Sequence, residues 1–225
     1  MEQLESSFYS QALAKFKESD FTAAGFPSAQ LAIEQFLSIR DDEVIHATVL
    51  EVRQWVFISP PLCSDFDMGF AFSQEAIQAL GDKPVDNCSF DFSKVLTDVT
   101  TMANVARVVE NVGVTAYLGA ANLLSDPVLL TAAGSILTVE ARHQTILNVL
   151  NSGTAIPQAF DLALTPSEVL AIAGGFISGC DLGVPANQPL ALTNTGTVAI
   201  GTLLTFSSPA INGSTDVSWA GDIKG

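Results

Sequence analysis

Glu43-Val44-Ile45-His46 is answered further along the chain by Glu140-Ala141-Arg142-His143. These two tetrads hold both histidines of the 225 residues. Each is preceded by a second spacing, Glu2 to Tyr9 and Glu110 to Tyr117, which takes in both tyrosines. The order is therefore Glu…Tyr, Glu-x-x-His, Glu…Tyr, Glu-x-x-His. On an α-helix, positions i and i+3 share a face, so each Glu-x-x-His aims a carboxylate and an imidazole at one point. A residue two turns on lies over the same face, which places each tyrosine above the glutamate of its own helix. Two metal ions held between four helices take about six side-chain ligands, four carboxylates and two imidazoles. Glu2, Glu43, His46, Glu110, Glu140 and His143 make up that set. The carboxylates offset and bridge the charge, and each imidazole binds one ion and suits iron, copper or zinc. A lone Glu-x-x-His is common on solvated helices, and a lone buried histidine is usually hydrogen-bonded structure. Two copies in register with two Glu/Tyr pairs are not explained that way. Glu2 lies where helices fray, and Glu5, one turn further in, can take its place.

The composition agrees with a large apolar core. Hydrophobic residues are 48% of the chain, charged residues only 15%, and the mean hydropathy is +0.37. The net charge is −15, from 24 acidic and 9 basic residues, which argues against nucleic acid and against an anionic membrane surface. Bound cations at the carboxylate site would offset part of that charge, and the rest belongs to a solvated acidic surface. No apolar run reaches membrane-spanning length without polar interruption. Met-Glu-Gln-Leu-Glu lacks the basic and apolar regions of a signal peptide, so the expectation is an intracellular protein, or one processed from a longer precursor. Cys63, Cys88 and Cys180 cannot all pair within one chain; one disulfide is possible and no C-x-x-C unit is present.

The pattern along the chain predicts helices around these residues. A first runs from residue 2 to about 19, with Leu4, Phe8, Leu13 and Phe16 on an apolar stripe, and Ala23-Ala24-Gly25-Phe26-Pro27 breaks it. A second runs from Ser28 to about Phe57, stopped by Ser59-Pro60-Pro61, with Glu43 and His46 near its middle. A third spans about Ser93 to Leu124, where Gly113 is expected to admit a neighbouring helix at a cost of roughly 1 kcal/mol. Asp126-Pro127 starts a fourth, which stops near Asn151-Ser152-Gly153. The capping box Thr165-Pro166-Ser167-Glu168 opens a shorter fifth helix to about Ser178. Between the second and third helices, residues 58 to about 92 form a long crossover carrying Phe66, Phe70, Phe72, Phe90 and Phe92. These rings either cover one end of the bundle or wall an apolar pocket. Residues 181–225 read as extended chain with a hairpin, an arm packed on the bundle or a dimer-forming element.

In four blocks the chain resembles the ferritin-like domain family of fungi and bacteria, which includes stress-response and desiccation-related proteins. The blocks are Leu4-Glu5-Ser6-Ser7-Phe8-Tyr9 through Phe26, Asp42 to His46, Glu110 to Ala121, and Ile136 to His143. The resemblance covers roughly residues 2–180 and implies an all-α fold. The expected architecture is a ferritin-like four-helix bundle over residues 1–180, with a long crossover and an extra short helix. An extended, partly β, C-terminal arm over residues 181–225 completes it. It implies the same six metal ligands, and Fe, Mn, Zn or Mg as the divalent ions. In size the chain is also similar to pigmented fungal members of that family, which implies an organic pigment bound noncovalently.

Three functions compete. The first is a redox protein whose Fe or Mn pair meets dioxygen or peroxide, with Tyr9 or Tyr117 supporting the ligands. The second is a binding protein for a hydrophobic small molecule, a conjugated pigment included, with Phe66, Phe70, Phe72, Tyr9 and Tyr117 as candidate contacts and the metal site structural or vestigial. The third is a non-catalytic protein that sequesters metal or assembles. The sequence leans towards binding rather than catalysis. A homodimer is expected, and the long arm argues against an iron-storage shell.

Overall fold

The computed structural model describes residues 1–51, 87–199, 201–210 and 217–219. Four long helices form a bundle: α1 (Glu2–Lys15), α3 (Ala29–Glu51), α4 (Val99–Ala120) and α5 (Pro127–Leu150). Two short ones flank them, α2 (Glu18–Ala23) and α6 (Pro166–Ala173). Helix α1 packs mainly on α3, and α4 on α5; α1 also meets α4, and α3 meets α5, so the four close a ring around one interior. None of the described helices is long and apolar enough to cross a membrane.

Local chemistry explains the boundaries. Helix α1 stops at Phe16, where the backbone turns extended, rather than running on to residue 19. Lys17 and Asp20 then start α2 separately, the Asp20 carboxylate accepting the Lys17 N–H at 2.7 Å. Helix α4 begins at Val99 rather than near Ser93. Asp98 caps it by accepting the Thr101 N–H at 2.8 Å, and residues 92–96 form a turn closed by Leu96 N–H on the Phe92 carbonyl. Asp126 and Pro127 open α5 as expected, with the Asp126 carboxylate accepting from Val128 and Leu129. The Thr165/Glu168 capping box opens α6, which ends at Ala173 and tightens into a 3₁₀ turn over residues 174–176.

The interior is aromatic at one end. Phe92 is fully buried and lies edge-on to Phe8 at 5.2 Å, with Phe176 at 5.4 Å and Phe90 stacked at 6.4 Å. Of the crossover phenylalanines, Phe90 and Phe92 thus cover the bundle end; Phe66, Phe70 and Phe72 lie outside the described residues. The cover is tied down twice. Strand β1 (Ser89–Phe90) pairs antiparallel with β2 (Ile177–Ser178), and Cys88 is joined to Cys180 in a disulfide. That bridge closes a loop of 92 residues. In the chain-entropy account a loop of this length stabilises by on the order of 4–5 kcal/mol. Cys63 lies outside the described residues. Further on, β3 (Ala191–Leu192), β4 (Leu204–Ser207) and β5 (Val217–Trp219) form a three-stranded antiparallel sheet. Gly119 lets the chain after α5 cross α4 closely: a Cβ there would strike the Leu164 carbonyl, and the Leu164 N–H donates to the Thr115 carbonyl at 3.1 Å.

Candidate metal centre

Each long helix turns acidic side chains inward. Helix α1 buries Glu2, Glu5 and Tyr9; α3 buries Glu43 and His46; α4 buries Glu110; α5 buries Glu140 and His143. Their spacings of three, four and seven keep them on the inner faces, among Leu4, Phe8, Phe36, Ile39, Val109 and Leu147. The structure brings all six sequence-predicted ligands together. They form two groups whose ligand atoms lie within 4.8 Å of one another: Glu2, Glu43, His46 and Glu140, and Glu43, Glu110, Glu140 and His143. Glu43 and Glu140 belong to both groups, the position of bridging carboxylates. The imidazole rings stand 6.3 Å apart.

The nitrogens crowd onto the oxygens. His46 Nδ1 lies 3.2 Å from Glu2, 3.2 Å from Glu43 and 3.3 Å from Glu140. His143 Nδ1 lies 2.9 Å from Glu43 and 3.2 Å from Glu110. Yet Glu2 Oε2, both oxygens of Glu5, Glu43 Oε1 and both oxygens of Glu140 receive no hydrogen bond. The contacts to Glu2 Oε2, Glu43 Oε1 and Glu140 Oε1 are therefore ion contacts without hydrogen-bond alignment. Buried acceptors that converge with too few protons are costly, and a cation at the point of convergence relieves the cost. The donor set, carboxylate oxygens with imidazole nitrogens, suits divalent transition ions. On these grounds the residues fit a metal pair.

Without cations, protons must balance the charge. Burial pushes the Glu140 carboxyl up to about 8, against the contact with His46 and with the repulsion of Glu110 and Glu43. Glu110 is raised by burial, and Glu5 is raised well above the usual carboxylate range by burial and by Glu140. Burial acts to lower both imidazoles, but the carboxylates win: Glu140, Glu2 and Glu43 carry His46 up to about 12, and Glu110 and Glu43, with Asp42, carry His143 up to about 11. Glu2 goes the other way, to about 2: burial acts to raise it, but the contact with His46, the N-terminal ammonium, Glu43 and the Tyr117 hydroxyl outweigh that. Charge is thus held unequally by the carboxylates around His46.

The tyrosines differ from the expectation. Each was placed above the glutamate of its own helix; instead they cross over. Tyr9 on α1 donates to Glu110 on α4 at 2.6 Å, and Tyr117 on α4 donates to Glu2 on α1 at 2.8 Å. The reason is direction. Helices α1 and α4 run antiparallel, so a residue two turns past one glutamate lies level with the other. Burial and the neighbouring glutamate raise both phenols, so they act as donors.

Two participants were not singled out as members of the same centre. Asp42 on α3 holds His143 Nε2 at 3.1 Å, and fixes the ring from behind as it presents Nδ1 inward. Its signal, an acid directly before the first Glu-x-x-His, is masked by Asp41 beside it. Glu5, weighed only as a substitute for Glu2, is fully buried together with Glu2. Gly113 also acts differently from expectation. The space it leaves is filled by carboxylates rather than by a neighbouring helix backbone: a Cβ there would lie 2.5 Å from Glu140 Oε2 and 2.8 Å from Glu5 Oε1. A cleft of about 400 Å³ between α3 and α5 reaches both imidazoles from solvent, with Gln35, Ser38, Asp42 and Arg142 at its polar wall.

No curated protein matches the chain. A family model described as ferritin-like domain matches residues 1–55 and 64–152, a span that contains all four bundle helices and every residue of the centre. With that match over more than half its length, the chain belongs to the ferritin-like domain family.

Proposed function

We propose that this chain binds a pair of divalent metal ions, Fe, Mn, Zn or Mg, in the bundle interior. Glu2, Glu43, His46 and Glu140 would hold one ion and Glu43, Glu110, Glu140 and His143 the other. The observation that carries the reading is the pair of buried four-residue groups that share Glu43 and Glu140. With Fe or Mn bound, such a centre supplies redox chemistry towards dioxygen or peroxide. The chain's own residues hold it. Asp42 orients His143, Tyr9 and Tyr117 orient Glu110 and Glu2, and the buried Phe8 and Phe36 rings pack on Tyr9. Elemental analysis after growth in metal-replete medium is expected to give two ions per chain. A protein free of transition metal and Mg after such growth overturns the reading.

The alternative, a noncovalent organic pigment with the metal site structural, draws on Phe66, Phe70 and Phe72. The absorption spectrum of the purified protein separates the two: intense visible bands that survive chelation indicate a pigment, and bands lost on chelation indicate the metal pair.

A further inference from the structure

The repeat that pairs Glu2 and Tyr9 with Glu110 and Tyr117 also pairs Glu5 with Gly113, since each lies three residues after its glutamate. One side of the centre thus has a side chain where the other has none. Glu5 is 0% exposed, as deep as Glu43, Glu110 and Glu140. Neither of its oxygens has a hydrogen-bond partner. The hydroxyls and inward-facing imidazole nitrogens of the centre are directed elsewhere: Tyr9 to Glu110, Tyr117 to Glu2, His46 among Glu2, Glu43 and Glu140, and His143 Nδ1 between Glu43 and Glu110. Glu5 Oε1 and Glu140 Oε2 meet in the space that Gly113 leaves open. Nothing structural is served by an unpartnered carboxylate at that spot, where leucine or methionine would pack at no polar cost.

We propose that Glu5 is a fifth carboxylate ligand of the centre, reaching the ions from the Glu140 side through the gap at Gly113. The inference rests on the metal-pair reading and extends it. Four carboxylates balance two divalent ions; a fifth leaves the filled centre with net negative charge and favours ions of higher charge. The ligand set is then unequal about the repeat, with two carboxylates from α1 and one from α4.

The test is titration of the chelated and dialysed full chain with Mn²⁺ and with Zn²⁺, followed by calorimetry, for wild type, Glu5→Gln and Gly113→Ala. Glu34→Gln, at an exposed position on α3, is the control. Glu5→Gln keeps the shape and removes the charge. It is expected to weaken one of the two ions by about tenfold or more, while the chelated variant melts no lower than chelated wild type, because its amide N–H can donate to Glu140. Gly113→Ala, which pushes both carboxylates aside, is expected to weaken metal binding as well, and stands as the readout should Glu5→Gln not fold. If wild type binds two ions and Glu5→Gln binds both with unchanged affinity, the Glu5 assignment falls and the metal pair stands. If wild type binds neither metal, both fall.

Discussion

Behind His143 stands Asp42, 3.1 Å from its outer nitrogen; behind His46, the matching position directly before the other Glu-x-x-His is Val139. Among the described residues, the outer nitrogen of His46 meets no hydrogen-bonding or ionic partner. Both residues border the same cleft, so the two imidazoles share an approach from solvent and differ in support. The inward-facing ligands are duplicated nearly residue for residue, while the residues that brace them are not. A bundle can repeat its ligands by repeating a helix pair, yet the brace for His143 comes from the opposite helix and the repeat puts Val139 where its counterpart would be. The proposed metal pair would therefore have two positions of unequal stiffness, one braced by Asp42 and the other held, among the described residues, by contacts inside the ligand set.

The largest effect should come from the residues that the two positions share. Glu43→Ala or Glu140→Ala is expected to abolish binding of both ions, whereas Glu2→Ala or His46→Ala is expected to leave one ion at the Glu110/His143 position. Metal content of each purified variant checks this directly. Retention of one full ion in Glu43→Ala would show that the positions are independent and that no carboxylate bridges them.

Next is the brace itself. Asp42→Ala is expected to weaken the ion on the His143 side by about 10- to 100-fold, the usual consequence of removing the partner of a ligating imidazole. Val139→Ala should leave affinity within about twofold and Val139→Asp should tighten the His46 side. Stepwise Zn²⁺ titration resolves the two ions. Equal losses from Asp42→Ala and Val139→Ala would erase the distinction between the halves.

Much of this was legible in the sequence because helical spacing is local. The two Glu-x-x-His tetrads, the Asp126-Pro127 start and the Thr165/Glu168 cap all depend on residues within one or two turns. Each appears in the fold where its spacing put it. What was not legible depends on which helix faces which. The crossed Tyr9–Glu110 and Tyr117–Glu2 pairs need the antiparallel direction of α1 and α4, which no spacing within either helix encodes. The Asp42–His143 contact joins residues on two helices, and Cys88–Cys180 spans 92 residues. Strands β1 and β2 have two residues each, too short to leave a period-two signal. The start of α4 was misplaced because Ser93 and Asp98 are both good caps, and the turn that decides between them is closed by the Phe92 carbonyl under a buried ring.

A pH series probes the charge that both halves share. In chelator, the native protein holds protons on His46 up to about 12 and on His143 up to about 11, while an unfolded imidazole releases its proton near 6.5. Glu140 holds one up to about 8, against 4.5 unfolded. Where the native state binds more protons than the unfolded state, stability falls as pH rises. These contributions are therefore full below the unfolded values, and are lost from about 4.5 to about 8 for Glu140 and from about 6.5 to about 12 and 11 for His46 and His143. Glu2, lowered to about 2, acts oppositely: its contribution is present above 4.5 and lost as pH falls towards 2. The chelated protein should melt highest at mildly acid pH and progressively lower from pH 6 to 9. The metal-loaded protein should lose less over that range, because ions and protons compete for the same atoms. A chelated melting temperature that rises from pH 6 to 9 would contradict the protonated imidazoles.

The smallest effects separate the two tyrosines. Tyr9 is fully buried and donates to Glu110 at 2.6 Å; Tyr117 is less enclosed and donates to Glu2 at 2.8 Å. Removing the hydroxyl strands Oε1 of each glutamate while its other oxygen keeps an imidazole at 3.2 Å, His46 for Glu2 and His143 for Glu110, but Glu110 is fully buried whereas Glu2 also feels the N-terminal ammonium. Tyr9→Phe in the chelated protein should therefore cost about 2–3 kcal/mol, the penalty for a buried charged acceptor left unpaired, and Tyr117→Phe about 1 kcal/mol. Urea denaturation of the two variants against wild type measures the difference. Equal losses would mean that the crossed pairs are equivalent, and that the inequality of the centre lies only behind the histidines and at Glu5.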